Sequence, residues 1–332
     1  MRKRISYNAT VWHIGCSFVP PMEPKVHIVV TPGSGEGRAL ATARRLARAL
    51  KTRGHTPAVQ KFEGVGGLQR WAATCEGGFS HFICVGGDAT LSAAAKASIR
   101  LRVPFVPVPN GFGNIFTRAF GHPSRVEAVL DLLARGKVRW VDVGVIGDEI
   151  FLSHRSYGIL ERIQQAVERG GGQPRARWLR HLAYYGLARR FLFERPIPSI
   201  TVEIDGRVVT ERAILVTVAN VETYRGFLSL TPTASPIDGM FDVFVVPRVS
   251  RGAVALRLVR LMLRAPGRWN GIVLARGQRV VITEKGRQPE ELRTRRRVLP
   301  LLVPPGSIES LERRTVEAEA DAPEPLSGDR VA

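Results

Sequence analysis

HFICVGGDATLSAAAKA, residues 81–97, passes in one line from an apolar run through a glycine turn into an alanine-rich segment. The run HFICV (81–85) has the uniform apolar character of a strand covered on both faces. Gly86 and Gly87 break it, and residues 90–99 have the composition of a helix. A strand that turns through glycines into a helix is the repeating unit of a parallel sheet. The pattern recurs upstream, where HIVVT (27–31) meets Pro32 and Gly33, followed by a helix over 36–53. Ala39, Leu40, Ala43, Leu46, Ala47 and Leu50 fall at helical spacing there, and Gly54 ends the run. Further strands are expected at 57–62, 103–108 and 138–143, and helices at 68–75 and 125–135.

Beyond about residues 142–147 the texture changes. Strand-like runs now follow one another at 197–211, 213–220, 226–233, 240–247 and 278–284. The first contains Asp205-Gly206, a two-residue hairpin signal. The expected fold is an N-terminal α/β nucleotide-binding domain with a Rossmann-like parallel sheet, then a C-terminal antiparallel β-sandwich. The expected divisions are a disordered leader over 1–24, the α/β domain over 25–143, the sandwich over 144–308 and an acidic disordered tail over 309–332.

The 332 residues are 44% hydrophobic and 23% charged, enough to bury two cores. Three cysteines, Cys16, Cys75 and Cys84, match no metal or disulfide spacing and read as ordinary thiols. No run of about twenty apolar residues exists, which argues against a spanning helix. The net charge of +20 attracts polyanions, whether nucleotide phosphates, nucleic acid or an anionic membrane. Arginine concentrates at 175–195, 248–268 and 293–297, and two basic, aromatic-edged segments, 175–195 and 251–269, are of the kind that suits a membrane interface. The commoner role for either alone is a helix packed on the sandwich with a solvated arginine face. No nucleic-acid-binding motif accompanies the charge.

Three glycine loops follow expected strands: Thr31 to Gly35, Gly86 to Thr90, and Asn110 to Asn114. Ligands of open α/β sheets bind at the carboxyl ends of strands, where glycines let backbone N–H groups approach a phosphate. One such loop is an ordinary turn as often as a site. Three on consecutive strands, one of them holding Asp88, point to a nucleotide. An acid facing phosphate would require a metal ion or a proton.

At these residues the chain resembles the diacylglycerol kinase and sphingosine kinase type of lipid kinase, with ceramide kinases and, more distantly, NAD kinases as relatives. GGDAT (86–90) is similar to that family's glycine-glycine-aspartate-glycine-threonine loop, VPNGFGNIFTRAFG (108–121) to its second loop, and VVTPGSGEG (29–37) to its opening turn. VDVG (141–144) resembles the start of the second domain, and TPTASPIDGMFDV (231–243) its proline-x-alanine-x-x-aspartate-glycine stretch. The resemblance runs in the family's order from about residue 26 to 303. The asparagine-glutamate pair of NAD kinases is absent.

The resemblance implies transfer of the γ-phosphoryl group of ATP, with Mg²⁺, to a lipid hydroxyl, diacylglycerol or a related long-chain alcohol. It implies that Ser34, Gly35, Gly86, Gly87, Asp88, Thr90, Gly111, Gly113 and Asn114 hold the nucleotide. Asp238 is implied as general base, with Asp88 also catalytic, and Asp142 as part of a structural network tied to the metal. From spacing alone, Asp238-Gly239 is a plain turn before a strand. The implied setting is the cytoplasmic face of the inner membrane, bound peripherally to anionic lipid; a homodimer stays open, and nucleic acid is not an expected partner. Departures from the pattern are Thr31 for asparagine, Ala89 for glycine, Phe112 for threonine and Ile115 for an acid. The late aspartate-glycine-glutamate element is missing, and Glu290 and Glu291 are the nearest acids. The rival readings are a catalytically degraded lipid- or nucleotide-binding pseudokinase and a soluble nucleotide kinase related to NAD kinase.

Overall fold

The computed structural model describes residues 25–32, 37–111, 113–169, 199–222, 224–225, 228–248, 252–253 and 271–321. The expected leader and the basic segment 175–195 lie outside these residues, as does 251–269 apart from 252–253.

The first half alternates strand and helix: β1 (Lys25–Val30), α1 (Arg38–Lys51), β2 (Thr56–Lys61), α2 (Val65–Thr74), β3 (His81–Gly86), α3 (Asp88–Leu101), β4 (Phe105–Pro109), α4 (Ile115–Ala119) and α5 (Val126–Arg135). In α1 the residues Ala39, Ala43, Leu46 and Leu50, one turn apart, are fully buried, while the arginines between them face water. The alanines of α3 let it lie close to its neighbours, and Ala94, Ala95 and Ala97 are wholly buried. Strands β2, β1, β3 and β4 are parallel neighbours in that order. The chain leaves β1 toward opposite edges of the sheet, so the switch point falls between β1 and β3.

The second half holds β5 (Lys137–Ile146), β6 (Glu149–Phe151), β7 (His154–Gly158), α6 (Ile159–Arg169), β8 (Ile200–Ile204), β9 (Arg207–Ala219), a two-residue pair β10 (Tyr224–Arg225) and β11 (Leu228–Ser229), β12 (Phe241–Pro247), β13 (Val273–Gly277), β14 (Arg279–Glu284), β15 (Glu290–Val303) and α7 (Ser307–Asp321). These strands pair antiparallel in the order β13, β12, β9, β8, β14, β15. Asp205 and Gly206 both have positive φ, 48° and 84°, as a two-residue hairpin between β8 and β9 requires. The runs expected as separate strands at 207–211 and 213–220 are one strand, β9. Among the described residues of the run at 226–233, Leu228–Ser229 is extended.

The last strand and helix join the two halves of the chain. β5 and β15 pair antiparallel over almost their whole length, and Leu301 of β15 pairs with Phe105 of β4. Val141, Val143, Leu299, Leu301, Val303 and Leu311 share one core with Phe82, Leu91 and Phe116. The end of the sandwich sequence thus returns to complete the first domain. Residues 309–321, expected as disordered tail, belong to α7: Leu311 is buried and Arg314 Nη2 donates to the carbonyl of Ala119 at 2.5 Å. The alternation of acidic residues with Ile308 and Leu311 is an amphipathic face rather than a solvated tail.

A second core lines the other face of the parallel sheet beneath α1 and α5, and a third fills the sandwich. Cys75 and Cys84 are buried free thiols, as expected of ordinary core cysteines. Among the described residues no helix is long and apolar enough to cross a membrane.

Candidate active site

Adjacent parallel strands deliver the three glycine loops to one place. Thr31, after β1, and Thr90, in the first turn of α3, join hydroxyls at 2.9 Å, and both are almost fully buried. The Thr90 hydroxyl thus ties the first two loops together. Ser34 and Gly35 lie outside the described residues. Asn110 N donates to the carbonyl of Gly86 at 2.9 Å, joining the loops after β3 and β4.

Glycine is required where those loops touch. A Cβ on Gly111 would lie 2.4 Å from the Cα of Gly87, and one on Gly113 would lie 3.1 Å from Asp88 Oδ2. The contact at Gly111 is backbone against backbone, which no rotamer change relieves. Asn114 holds the turn closed from within. Its Oδ1 accepts from Gly111 N, and its Nδ2 donates to the Gly111 carbonyl, each at 2.8 Å. It does so from a left-handed conformation, φ 48°, which asparagine tolerates.

Asp88 also belongs to this joint. Its carboxylate accepts N–H groups from Ile115 at 3.2 Å and Phe116 at 3.1 Å, at the start of α4. Burial raises its pKa, and those backbone bonds pull the other way. Two backbone donors satisfy the carboxylate in this geometry. Asp88 ties the second loop to the third.

A second polar centre lies where the sandwich meets this domain. Asp142, on β5, is completely buried. Its Oδ2 accepts from Gly239 N at 2.6 Å and its Oδ1 from Arg297 N at 2.7 Å. Its own N–H donates to the carbonyl of Pro236 at 2.7 Å. Asp142 therefore fixes the Asp238–Gly239 turn from below, through backbone groups alone. Asp238 keeps 28% of its side chain exposed. Its Oδ1 accepts from Met240 N at 2.9 Å, and its Oδ2 pairs with Arg276 Nη2. Burial raises its pKa; the Met240 N–H and Arg276 oppose this, and Asp142 adds to it.

Asp242 and Arg276 were not singled out by sequence reasoning. They sit directly opposite each other on β12 and β13. Arg276 Nε donates to Asp242 Oδ1 at 3.0 Å, so one guanidinium bridges both aspartates, while the Thr233 hydroxyl donates to Asp242 Oδ2. Burial pushes Asp242 up to about 6. The available sequence signal was an aspartate two residues into a strand otherwise apolar, MFDVFVV, which as a buried charge calls for a partner.

Hydrogen bonds tie α3 to the second centre. Ser92, one turn into α3, accepts from Leu152 N at 3.2 Å, and Asn220 Nδ2 donates to the carbonyls of Leu152 and Asp142 at 3.0 Å each. Helix α3, which starts at the glycine joint, is thus tied through Leu152 and Asn220 to Asp142, beneath the Asp238 turn.

The residues present fit a polyphosphate better than a protein-held metal. Closely apposed glycine backbones at strand ends can offer N–H groups to phosphate oxygens. Among the described residues, however, no three ligating side chains converge to hold a metal ion. Both oxygens of Asp88 and of Asp142 accept backbone N–H groups, so each carboxylate is held in place by the fold itself.

Two adjoining family models match this chain: the diacylglycerol kinase catalytic domain over residues 25–146 and the YegS C-terminal NAD kinase beta sandwich-like domain over residues 162–292. Together they span well over half of it. The chain belongs to the diacylglycerol-kinase-like lipid kinase family. A Bacillus subtilis protein named diacylglycerol kinase is 27% identical over 222 residues, covering 62% of this chain and 72% of that protein. A Mycobacterium tuberculosis protein of the same name is 27% identical over 235 residues, 68% of this chain and 74% of that one. A crystal structure of a diacylglycerol kinase from Bacillus anthracis str. Sterne shares the fold, with a TM-score of 0.63 at 19% identity, covering 85% of this chain and 98% of that one.

Within this diacylglycerol-kinase-like framework the departures from the family pattern find places. Ala89 lies exposed in the first turn of α3 and is not at positive φ, so the methyl in place of a glycine strains nothing. Ile115 is buried and lends its N–H to Asp88. Phe112 is outside the described residues. Glu290 and Glu291, the nearest acids to the missing late element, serve the sandwich: Glu290 accepts from Tyr157 and Glu291 pairs with Arg279 and Arg293.

Proposed function

We propose that this chain is an ATP-dependent lipid kinase that transfers the γ-phosphoryl group to the hydroxyl of diacylglycerol or a related long-chain alcohol. The observation that carries this reading is the close Gly87–Gly111 backbone contact at the start of α3, with α3 tied through Leu152 and Asn220 to the Asp142 that holds the Asp238 turn. It supports a polyphosphate at one end and a partly exposed carboxylate at the other. The glycine backbones of the second and third loops bind phosphate, and Asp88 and Asn114 hold those loops in register.

In the proposed reaction Asp238 accepts the proton of the acceptor hydroxyl. The freed oxygen forms a bond to the γ-phosphorus, the bond from that phosphorus to the β,γ-bridging oxygen breaks, and ADP departs with the electron pair. Positioning and charge neutralisation supply most of the rate in such transfers. The chain would work bound peripherally at the cytoplasmic face of a membrane, since its acceptor resides there.

ADP release by the purified full chain, with and without mixed micelles containing diacylglycerol, tests this. Micelle-dependent release that is lost in Asp238→Asn is the expected result. Equal turnover on a soluble acceptor without micelles would instead favour a soluble nucleotide kinase. ATP binding with no turnover on any acceptor would favour a binding protein.

A further inference from the structure

Resting on the proposed role of Asp238, we infer that Arg276 is a positioning residue that clamps the Asp238 carboxylate against Asp242 and keeps it charged for proton transfer. The geometry is a closed set of contacts. Arg276 stands opposite Asp242 in the β12–β13 ladder, and its Nε is fixed there at 3.0 Å from Asp242 Oδ1. Asp242 is itself fixed by the Thr233 hydroxyl. The remaining arm of the guanidinium, Nη2, then reaches Asp238 Oδ2, while Met240 N holds Oδ1. Each carboxylate gives one oxygen to the arginine and has its other oxygen anchored elsewhere, by Met240 N or the Thr233 hydroxyl, so the arginine has little freedom to leave.

The charges around Asp238 explain why a cation is needed. Asp142 approaches from β5 beneath Gly239, and Asp242 from β12, both negative. From β15, the Arg296 side chain packs over Gly239, where an added Cβ would lie 2.3 Å from its Nε. Arg297 contributes its backbone N–H to Asp142. Burial and Asp142 both raise Asp238, and Arg276 is the cation that acts against them. Arg276 keeps only 26% of its side chain exposed, so its charge is weakly screened compared with the surface arginines. A carboxylate that must take up a proton has to be ionised beforehand, and Arg276 secures that state.

The test compares the wild-type chain with Arg276→Gln, Arg276→Lys and Asp238→Asn, following kcat/KM for transfer to diacylglycerol across pH. The Asp238 carboxyl is titrated in parallel by ¹³C NMR, its signal assigned by its absence in Asp238→Asn. The expected result is an acidic limb displaced to higher pH in Arg276→Gln. Its activity should be roughly tenfold down near pH 6 and should approach wild type near pH 8.5, with the lysine variant in between. The NMR titration of Asp238 should move in the same direction. A loss in Arg276→Gln that is equal at every pH, or an Asp238 titration that does not move, overturns the inference and leaves the lipid kinase reading standing. Full turnover by Asp238→Asn overturns the base assignment, and this inference with it.

Discussion

Replacing Asp88 by asparagine should loosen the joint between the second and third glycine loops. The change keeps size and shape but leaves one oxygen where two accept, Oδ1 from Phe116 N at 3.1 Å and Oδ2 from Ile115 N at 3.2 Å. The amide nitrogen would then face a backbone N–H, donor against donor, in a buried site. Losing one charge-assisted bond costs about 1.5–3 kcal/mol, and stranding a buried donor adds about 1–3 kcal/mol. Relief from burying a charge, the cause of the raised Asp88 pKa, offsets part of this. The net expectation is a loss of about 2 kcal/mol, read as a lower urea midpoint with unchanged slope. ATP affinity measured by titration calorimetry should weaken roughly tenfold or more, because the Gly87–Gly111 backbone contact is no longer held. A variant within about 0.5 kcal/mol of wild type, binding ATP as tightly, would refute the assignment of Asp88 to loop positioning.

Gly111→Ala should cost about 1–3 kcal/mol and weaken ATP binding, because its methyl would meet the Gly87 backbone 2.4 Å away; normal ATP affinity by calorimetry would contradict this. Gly66→Ala in α2, where the nearest atom is the tip of Arg70 at 3.8 Å, should instead stabilise by about 0.5–1 kcal/mol in the same urea assay. Asp242 rises from 3.8 to about 6 on folding, so the native state holds its proton more tightly than the unfolded chain. The stability this gives is complete below about pH 4 and is lost as pH rises through 6, up to about 3 kcal/mol in all. Wild type should therefore lose stability relative to Asp242→Asn between those pH values; parallel pH profiles of urea stability would contradict the coupling.

The parallel half was legible because its signals are local. Uniform apolar runs such as 81–85 and the a-turn-apart spacing of Ala39, Ala43, Leu46 and Leu50 need no knowledge of distant residues. The return of β15 to β4 was not legible, because the pairing of Leu301 with Phe105 spans most of the chain and leaves no mark in either segment. The same holds for the site. Glycine loops announce themselves by composition, whereas the partners of Asp88 and Asp142 are backbone N–H groups, which carry no sequence signature. The pairing of Thr90 with Thr31, 59 residues away, is equally invisible in the sequence. Arg276 stayed hidden among 49 lysines and arginines, and only the β12–β13 register separates it from its neighbours.

The most direct measurement is transfer of radiolabelled γ-phosphate from ATP to a panel of membrane lipids by the purified full chain, beside Asp238→Asn. Label should appear in a phosphorylated long-chain alcohol, diacylglycerol first, and should vanish in the variant while the variant stays folded. Absence of label in every lipid with a folded, ATP-binding wild type, or equal labelling by Asp238→Asn, would contradict the account.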